Sequence, residues 1–285
     1  MDQAVGASAP GALHPSRTPL VMGVLNVTPD SFSDGGRYLD PDAAVAHGAA
    51  LFAAGADIVD VGGESTRPGA APVDPDEEAA RVVPVVAALA PLGRVSIDTR
   101  RAEVAAAAIA AGATLLNDVS ASLHEVAADL GVGWVAMHMR GEPATMQHEP
   151  VYGDVVAEVR TFLAERLAAG RAAGITEIWL DPGLGFGKTA EHNLALLQAL
   201  AELTTLDAPI LIGASRKRTL AEILRRSDGS GALPAPDDRL EASVAVAVWA
   251  MAQGASMVRV HDVLATAQAA RLLAGPPKVA EHHSE

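Results

Sequence analysis

The sequence contains no cysteine, which excludes disulfides, zinc–thiolate centres and thiol nucleophiles. Aromatic residues make up only 3%, so the interior must be filled by aliphatic side chains. Positive charge is scarce: 21 Lys and Arg stand against 35 Asp and Glu, for a net charge of −14. A surface that acidic disfavours nucleic acid and anionic membranes as partners. An anionic substrate would need cations gathered locally against the global field. No apolar run approaches the ~20 residues of a membrane span. The opening segment Met1–Pro19 has no basic stretch followed by an apolar one, so it does not read as a secretory signal. Its Ala, Gly, Ser and Pro predict a disordered tail over 1–19, with a second over 275–285. A cytoplasmic protein is expected.

What is present is 49% hydrophobic, mostly Ala, Val and Leu, in 285 residues. That length suits one large domain. Short apolar runs recur and each closes on a polar residue: Leu20–Val27 holding Asn26, Ile58–Gly62 before Glu64, Val95–Ile97 before Asp98, and Leu115–Leu116 before Asn117 and Asp118. Trp134–Met137 precedes His138, Ile178–Leu180 precedes Asp181, Ile210–Ile212 leads to Ser215, and Met257–Val260 contains Arg259 and ends at His261. Runs this short and this continuously apolar fit buried parallel strands. Between them lie helical stretches. Asp40-Pro41 and Asp74-Pro75 pair an acid cap with proline at the first helical position. Ser122 with Glu125 has the spacing of a capping box.

A repeated turn marks the return to the sheet: Ala54-Gly55-Ala56, Ala111-Gly112-Ala113, Ala173-Gly174-Ile175 and Gln253-Gly254-Ala255. Glycine suits the left-handed position that ends a helix. Eight strand–helix units predict a single-domain (β/α)8 TIM barrel over 20–274. In such a barrel the strand tips converge on one face. Asn26, Asp98, Asn117, Asp181, Lys217, Arg259 and His261 would meet there. Any one of them is equally readable as a turn former or cap; seven at matching places are not. The connections Thr28–Asp40 and Gly63–Asp74 exceed the usual ~2–6 residues and are candidate lids.

Several stretches resemble the signatures of one family. Gly23-Val24-Leu25-Asn26-Val27-Thr28-Pro29-Asp30-Ser31-Phe32-Ser33-Asp34-Gly35-Gly36 is similar to the first signature of dihydropteroate synthases, and Asp60-Val61-Gly62-Gly63-Glu64-Ser65-Thr66-Arg67-Pro68-Gly69 to the second. Ser96–Thr99, Asn117–Val119, Met137–Met139, Asp181–Lys188, Gly213–Lys217 and Arg259–Val263 follow in family order. The resemblance implies a transferase of folate biosynthesis that joins a dihydropterin-methyl diphosphate to 4-aminobenzoate and releases diphosphate.

It also implies roles. Asp98, Asn117, Met137, Asp181 and Lys217 would bind the pterin, whose edge alternates donors and acceptors that a carboxylate and a carboxamide match. Met137 taken alone reads as ordinary core. Asp98 would stabilise a pterin-methyl cation rather than act as a base; with Lys217, Arg259 and His261 it makes up the expected catalytic set. Asn26, Thr66, Arg259 and His261 would hold the diphosphate, with Asn26 the contact for Mg2+. Asp30, Ser31, Phe32, Thr66, Arg67, Pro68, Phe186, Lys188 and Ser215 would receive the aminobenzoate and close over it. His138 is expected to be structural, and His14, His47, His124, His148, His192, His282 and His283 to lie on the surface. The family pairing implies a homodimer, with which the Ala-rich stretch Arg239–Ala252 is compatible.

Two departures from the pattern stand out. The connection Ser120–Gly131 is shorter than the family's, with Ser-Ala-Ser where glycine is usual, and Arg225–Asp237 reads as a flexible insertion. Two other functions share the barrel: a corrinoid-dependent type of pterin-binding methyltransferase domain, and a non-catalytic pterin binder.

Overall fold

The structure is a computed structural model that describes residues 18–28, 41–65, 72–141, 145–146, 150–229 and 231–275. Asp30, Ser31, Phe32, Thr66, Arg67 and Pro68, and the expected tails apart from Thr18, Pro19 and Gly275, lie outside the described residues.

Strands and helices alternate along the chain. The strands are β1 (Leu20–Asn26), β2 (Ile58–Gly62), β3 (Arg94–Asp98), β4 (Leu115–Asp118), β5 (Gly133–Met137), β6 (Ile178–Asp181), β7 (Leu211–Ile212) and β8 (Met257–Val260). The helices are α1 (Pro41–Ala53), α2 (Pro75–Leu89), α3 (Ala102–Ala110), α4 (His124–Asp129), α5 (Val155–Ala172), α6 (Ala190–Gln198), α7 (Leu200–Leu203), α8 (Arg218–Asp228), α9 (Leu240–Ala252) and α10 (Val263–Ala274). The strands form one parallel sheet in the order β6-β5-β4-β3-β2-β1-β8-β7. A parallel bridge between Leu180 and Ile210 joins its two edges, with the Leu180 N–H donating to the Pro209 carbonyl at 3.0 Å. The expected (β/α)8 barrel is therefore present.

Successive strand residues face opposite sides, and this divides the core in two. Met22, Ile58, Leu115, Val135, Trp179, Leu211 and Met257 form a compact cluster inside the barrel. Neighbours such as Val21, Val59, Leu116, Trp134 and Leu180 join the larger layer beneath the helices. Two residues further along β2, β4, β5, β6 and β8, and just past β7, the inward positions are Asp60, Asn117, Met137, Asp181, Arg259 and Gly213, while on β1 Val24 stays apolar. The alternation that fills the barrel floor with hydrocarbon thus carries polar groups to its mouth.

The glycine turns behave as their spacing predicts. At Gly112 (φ 117), Gly174 (φ 88) and Gly254 (φ 101) the residue after the glycine donates back to a helix carbonyl five positions earlier, as in Ala113 N–H to Ala108 O at 3.1 Å. This pattern satisfies the last free carbonyls and releases the chain toward the next strand. Gly131 ends α4 the same way, a repeat the sequence pattern did not reveal. Asp74 caps α2, accepting from the Asp76 N–H at 2.9 Å with Pro75 first in the helix.

The Ser122–Glu125 capping box is not formed. The N-cap of α4 is Leu123, without a side-chain hydrogen bond. Asp118 takes over: its Oδ1 accepts from Ser120 N and Oγ, and its Oδ2 from Leu123 N at 2.7 Å and Trp134 Nε1 at 3.1 Å. In the same segment Ala121 takes a positive φ of 50°, the conformation for which glycine is the usual residue. The expected insertion after the seventh strand is partly helical, because α8 runs through Asp228. Its far end is tied down by Arg239, whose Nε donates to the Pro234 carbonyl at 3.0 Å. His124 is not a surface residue; it is half-buried against Trp134, with ring centroids 5.7 Å apart.

Candidate active site

Parallel register sets the strand tips at one level. Asn26 lies opposite Gly62, Gly62 opposite Asp98, and Asp98 opposite Asn117, while Met137 lies opposite Asp181. From β8, Arg259 reaches across this row. Its Nε donates to Asp60 Oδ2 at 2.6 Å and its terminal nitrogen to Asp98 Oδ2 at 2.7 Å. Asn117 Nδ2 donates to the same Asp60 oxygen at 2.9 Å. Asp60 is completely buried and ties three strands together. Sequence reasoning gave it no role. The available signal was an acid in the middle of the apolar run Ile58–Gly62.

Opposite this group stand Asp181 and Lys217. A Cβ at Gly213 would lie 3.9 Å from Asp181 Oδ2, 3.9 Å from Lys217 Nζ and 3.8 Å from Arg259 Cβ. The absent side chain leaves bare backbone between an acid and two cations. Asp181 Oδ1 accepts from the Gly183 N–H at 2.7 Å, which fixes its carboxylate. Lys217 Nζ donates to the Leu184 carbonyl and sits 4.4 Å from the centre of the Phe186 ring. Asn117, Met137, Asp181, Lys217, Asp98 and Arg259 thus gather at one end of the barrel. Asp98 Oδ1 is buried there with no hydrogen-bond partner among the described residues, an acceptor that costs free energy until something donates to it.

Low dielectric shapes the charges. Burial pushes the Asp98 carboxyl up to about 7, against the pull of Arg259 and with the help of Asp60 and Glu78. Burial also raises Asp181, opposed by Lys217. The Lys217 ammonium is lowered to about 8 by burial, partly offset by Asp181. For Arg259 burial acts to lower the pKa, but Asp60 and Asp98 outweigh it and the guanidinium is held above its ordinary value. Arg259 is ion-paired with both Asp60 and Asp98, and Lys217 lies near enough to Asp181 to oppose the rise in its pKa.

His261 follows β8. Its N–H donates to Ser215 Oγ at 3.2 Å, and its Nδ1 lies 3.1 Å from the same hydroxyl. Ser215 is therefore beside His261, while α8 begins three residues later with Lys217 as its N-cap. Asn26 ends β1, half-buried beside the Asp98 row. Among the described residues no group of three or more His, Cys, Asp or Glu could hold a metal. A carboxamide at Asn26 fits a metal that arrives mostly ligated by its substrate's oxygens.

The loop after β6 is knotted from within. Lys188 Nζ, 2% exposed, contacts His138 Nδ1 at 2.9 Å and donates to the carbonyls of Gly183 at 2.9 Å, Phe186 at 3.0 Å and His138 at 3.3 Å. Burial and the nearby Lys188 lower His138 to about 3, and burial lowers Lys188 itself to about 7, so a neutral ring faces an amine that titrates near neutrality. The Tyr152 hydroxyl donates to the Gly187 carbonyl at 2.9 Å. Lys188 and His138 present the loop, with Phe186, to the cavity; the Lys188 ammonium itself points into the knot.

Comparison with known proteins agrees with this geometry. A family model described as pterin binding enzyme matches residues 22–261. A dihydropteroate synthase of Mycobacterium leprae (strain TN) is 52% identical over 262 residues, covering 89% of this chain and 92% of its own. One from Escherichia coli (strain K12) is 46% identical over 263 residues, covering 90% of each. The solved Xanthomonas albilineans dihydropteroate synthase with 4-aminobenzoic acid superimposes with a TM-score of 0.82 at 45% identity, covering 91% of this chain and 94% of that one. Its complex with 7,8-dihydropteroate gives 0.79 at 42% identity, covering 91% and 95%. By sequence and by fold, this chain belongs to the dihydropteroate synthase family of pterin-binding enzymes.

Proposed function

We propose that the chain condenses (7,8-dihydropterin-6-yl)methyl diphosphate with 4-aminobenzoate to give 7,8-dihydropteroate and diphosphate. The observation that carries this reading is the convergence of Asp181, Lys217 and Arg259 on bare Gly213, beside Asp98, whose buried Oδ1 has no partner among the described residues. A flat heterocycle seats there with Asp181 and Asn117 on its polar edge, Met137 against its face and Lys217 on a ring acceptor. Arg259 and His261 take the diphosphate, with Thr66 and Asn26 beside it.

The reaction is a dissociative substitution. The methylene–oxygen bond breaks and its electron pair leaves with diphosphate. The cation left on the methylene spreads into the pterin, where the Asp98 carboxylate stabilises it in a low dielectric. The neutral amine of 4-aminobenzoate then adds and loses a proton. Magnesium would neutralise departing diphosphate charge, held by the Asn26 carboxamide oxygen and the phosphate oxygens. Phe186 and Ser215 line the aminobenzoate approach, Lys188 holds that wall in place, and Asp30, Ser31, Phe32, Thr66, Arg67 and Pro68 close over it to exclude water. The working unit is a cytoplasmic homodimer. Among the described residues no helix is long and apolar enough to cross a membrane.

The test is a coupled assay for diphosphate release. Release that requires 4-aminobenzoate and weakens on magnesium chelation is expected. No release with both substrates present would reject the assignment, and pterin binding without release would identify a non-catalytic pterin binder. The relatives at 52% and 46% identity are named dihydropteroate synthase, which favours the synthase over the methyltransferase alternative.

A further inference from the structure

Arg216 lies between two residues of the site, Ser215 and Lys217, and has no ligand assigned to it. Its φ is 59°, in the left-handed region that non-glycine residues avoid. The Lys217 N–H donates to the Ala214 carbonyl at 3.2 Å, so Arg216 is the third residue of a tight turn, where glycine or asparagine is the ordinary occupant. Strain of this kind persists where surrounding structure over-determines it, and here the surroundings are explicit. The Arg216 N–H donates to buried Ser243 Oγ at 3.0 Å, and its carbonyl accepts from Arg239 at 2.6 Å. Its side chain forks onto Asp262, Nε to Oδ2 at 3.1 Å and a terminal nitrogen to Oδ1 at 2.7 Å, and also pairs with Asp237.

Asp262 is the neighbour of His261, and His261 is bonded to Ser215. The two turns are therefore joined twice, through Arg216–Asp262 and through Ser215–His261. Lys217 has its own anchors at Leu184 and Phe186. We propose that Arg216 is a positioning residue that locks the β7–α8 turn to the β8–α10 turn, presetting His261 and Ser215 for the diphosphate. A planar fork suits this work, because two parallel hydrogen bonds fix orientation as well as distance. The inference rests on the diphosphate site proposed above.

Calorimetry on the full chain tests it, with two probes: inorganic diphosphate with magnesium, and a phosphate-free 6-hydroxymethylpterin. Arg216→Ala should weaken diphosphate by at least about fivefold while pterin affinity stays within about twofold. Asp262→Asn keeps the Arg216 backbone anchors and should reproduce the same split, so the inference stays testable if Arg216→Ala fails to fold. The double variant should bind no more weakly than the weaker single. Wild-type diphosphate affinity in either single variant overturns the proposal. So do parallel losses for both probes, which mark general disruption, and losses that multiply in the double variant. His261→Ala serves as the control: if it binds diphosphate normally, the phosphate-site reading itself fails, whatever Arg216 does.

Discussion

A single guanidinium organises the barrel mouth. Arg259 spans Asp60 and Asp98, and Asp60 also receives Asn117. Removing one member of a buried ion pair leaves its partner uncompensated, at a cost of ~3–5 kcal/mol. Asp60→Ala is therefore expected to lower stability by about 3 kcal/mol, given that Asp98 remains as a partner for Arg259; denaturant titration at pH 7.5 measures it, and a loss under about 0.5 kcal/mol would dismiss the hub role. The charged states set the pH dependence. On the proposed mechanism Asp98, raised to about 7, must be ionised to stabilise a cation, so activity should fall as pH drops through 7. Lys217, lowered to about 8, must be protonated to donate, so activity should fall as pH rises through 8. The profile of kcat/KM should be bell-shaped with limbs near those values. Asp98→Asn should remove the acid limb and cost ~10²–10³ in kcat. An acid limb that survives in Asp98→Asn belongs to another group.

At the scale of elements, the β6–α6 loop shows how backbone conformation serves chemistry. A Cβ at Gly183 would sit 1.8 Å from the His138 carbonyl oxygen, and its φ is 66°. Gly183→Ala must displace the N–H that fixes Asp181 and the carbonyl that receives Lys188. It should cost at least about 2 kcal/mol and weaken pterin binding together with stability; retention of both would show that the loop tolerates the shift. The strands, their polar tips and the glycine turns were legible in the sequence because each rests on local periodicity. Asp60 was not, since its partner Arg259 lies 199 positions away and no spacing encodes the pairing. The Ser122–Glu125 box had the right spacing, but α4 starts one residue later, with Leu123 at the cap position and its N–H held by Asp118. The left-handed Arg216 carries no local mark, because the bonds that enforce it come from α9, the turn before it and the turn after β8.

For the whole molecule, barrel closure converts eight scattered polar tips into one site. It also sets two buried cations, Arg259 and Lys217, at the mouth of a protein whose net charge is −14, the groups that would meet the anionic substrate proposed above. The central claim is that the mouth of this barrel is a pterin pocket whose edge is read by Asp181. The direct measurement is calorimetric titration of pterin-methyl diphosphate into wild type and Asp181→Ala, with circular dichroism to verify folding. Loss of charge-assisted hydrogen bonds predicts a drop in affinity of roughly tenfold to a hundredfold in a folded variant. Unchanged affinity in a folded Asp181→Ala protein would contradict the account.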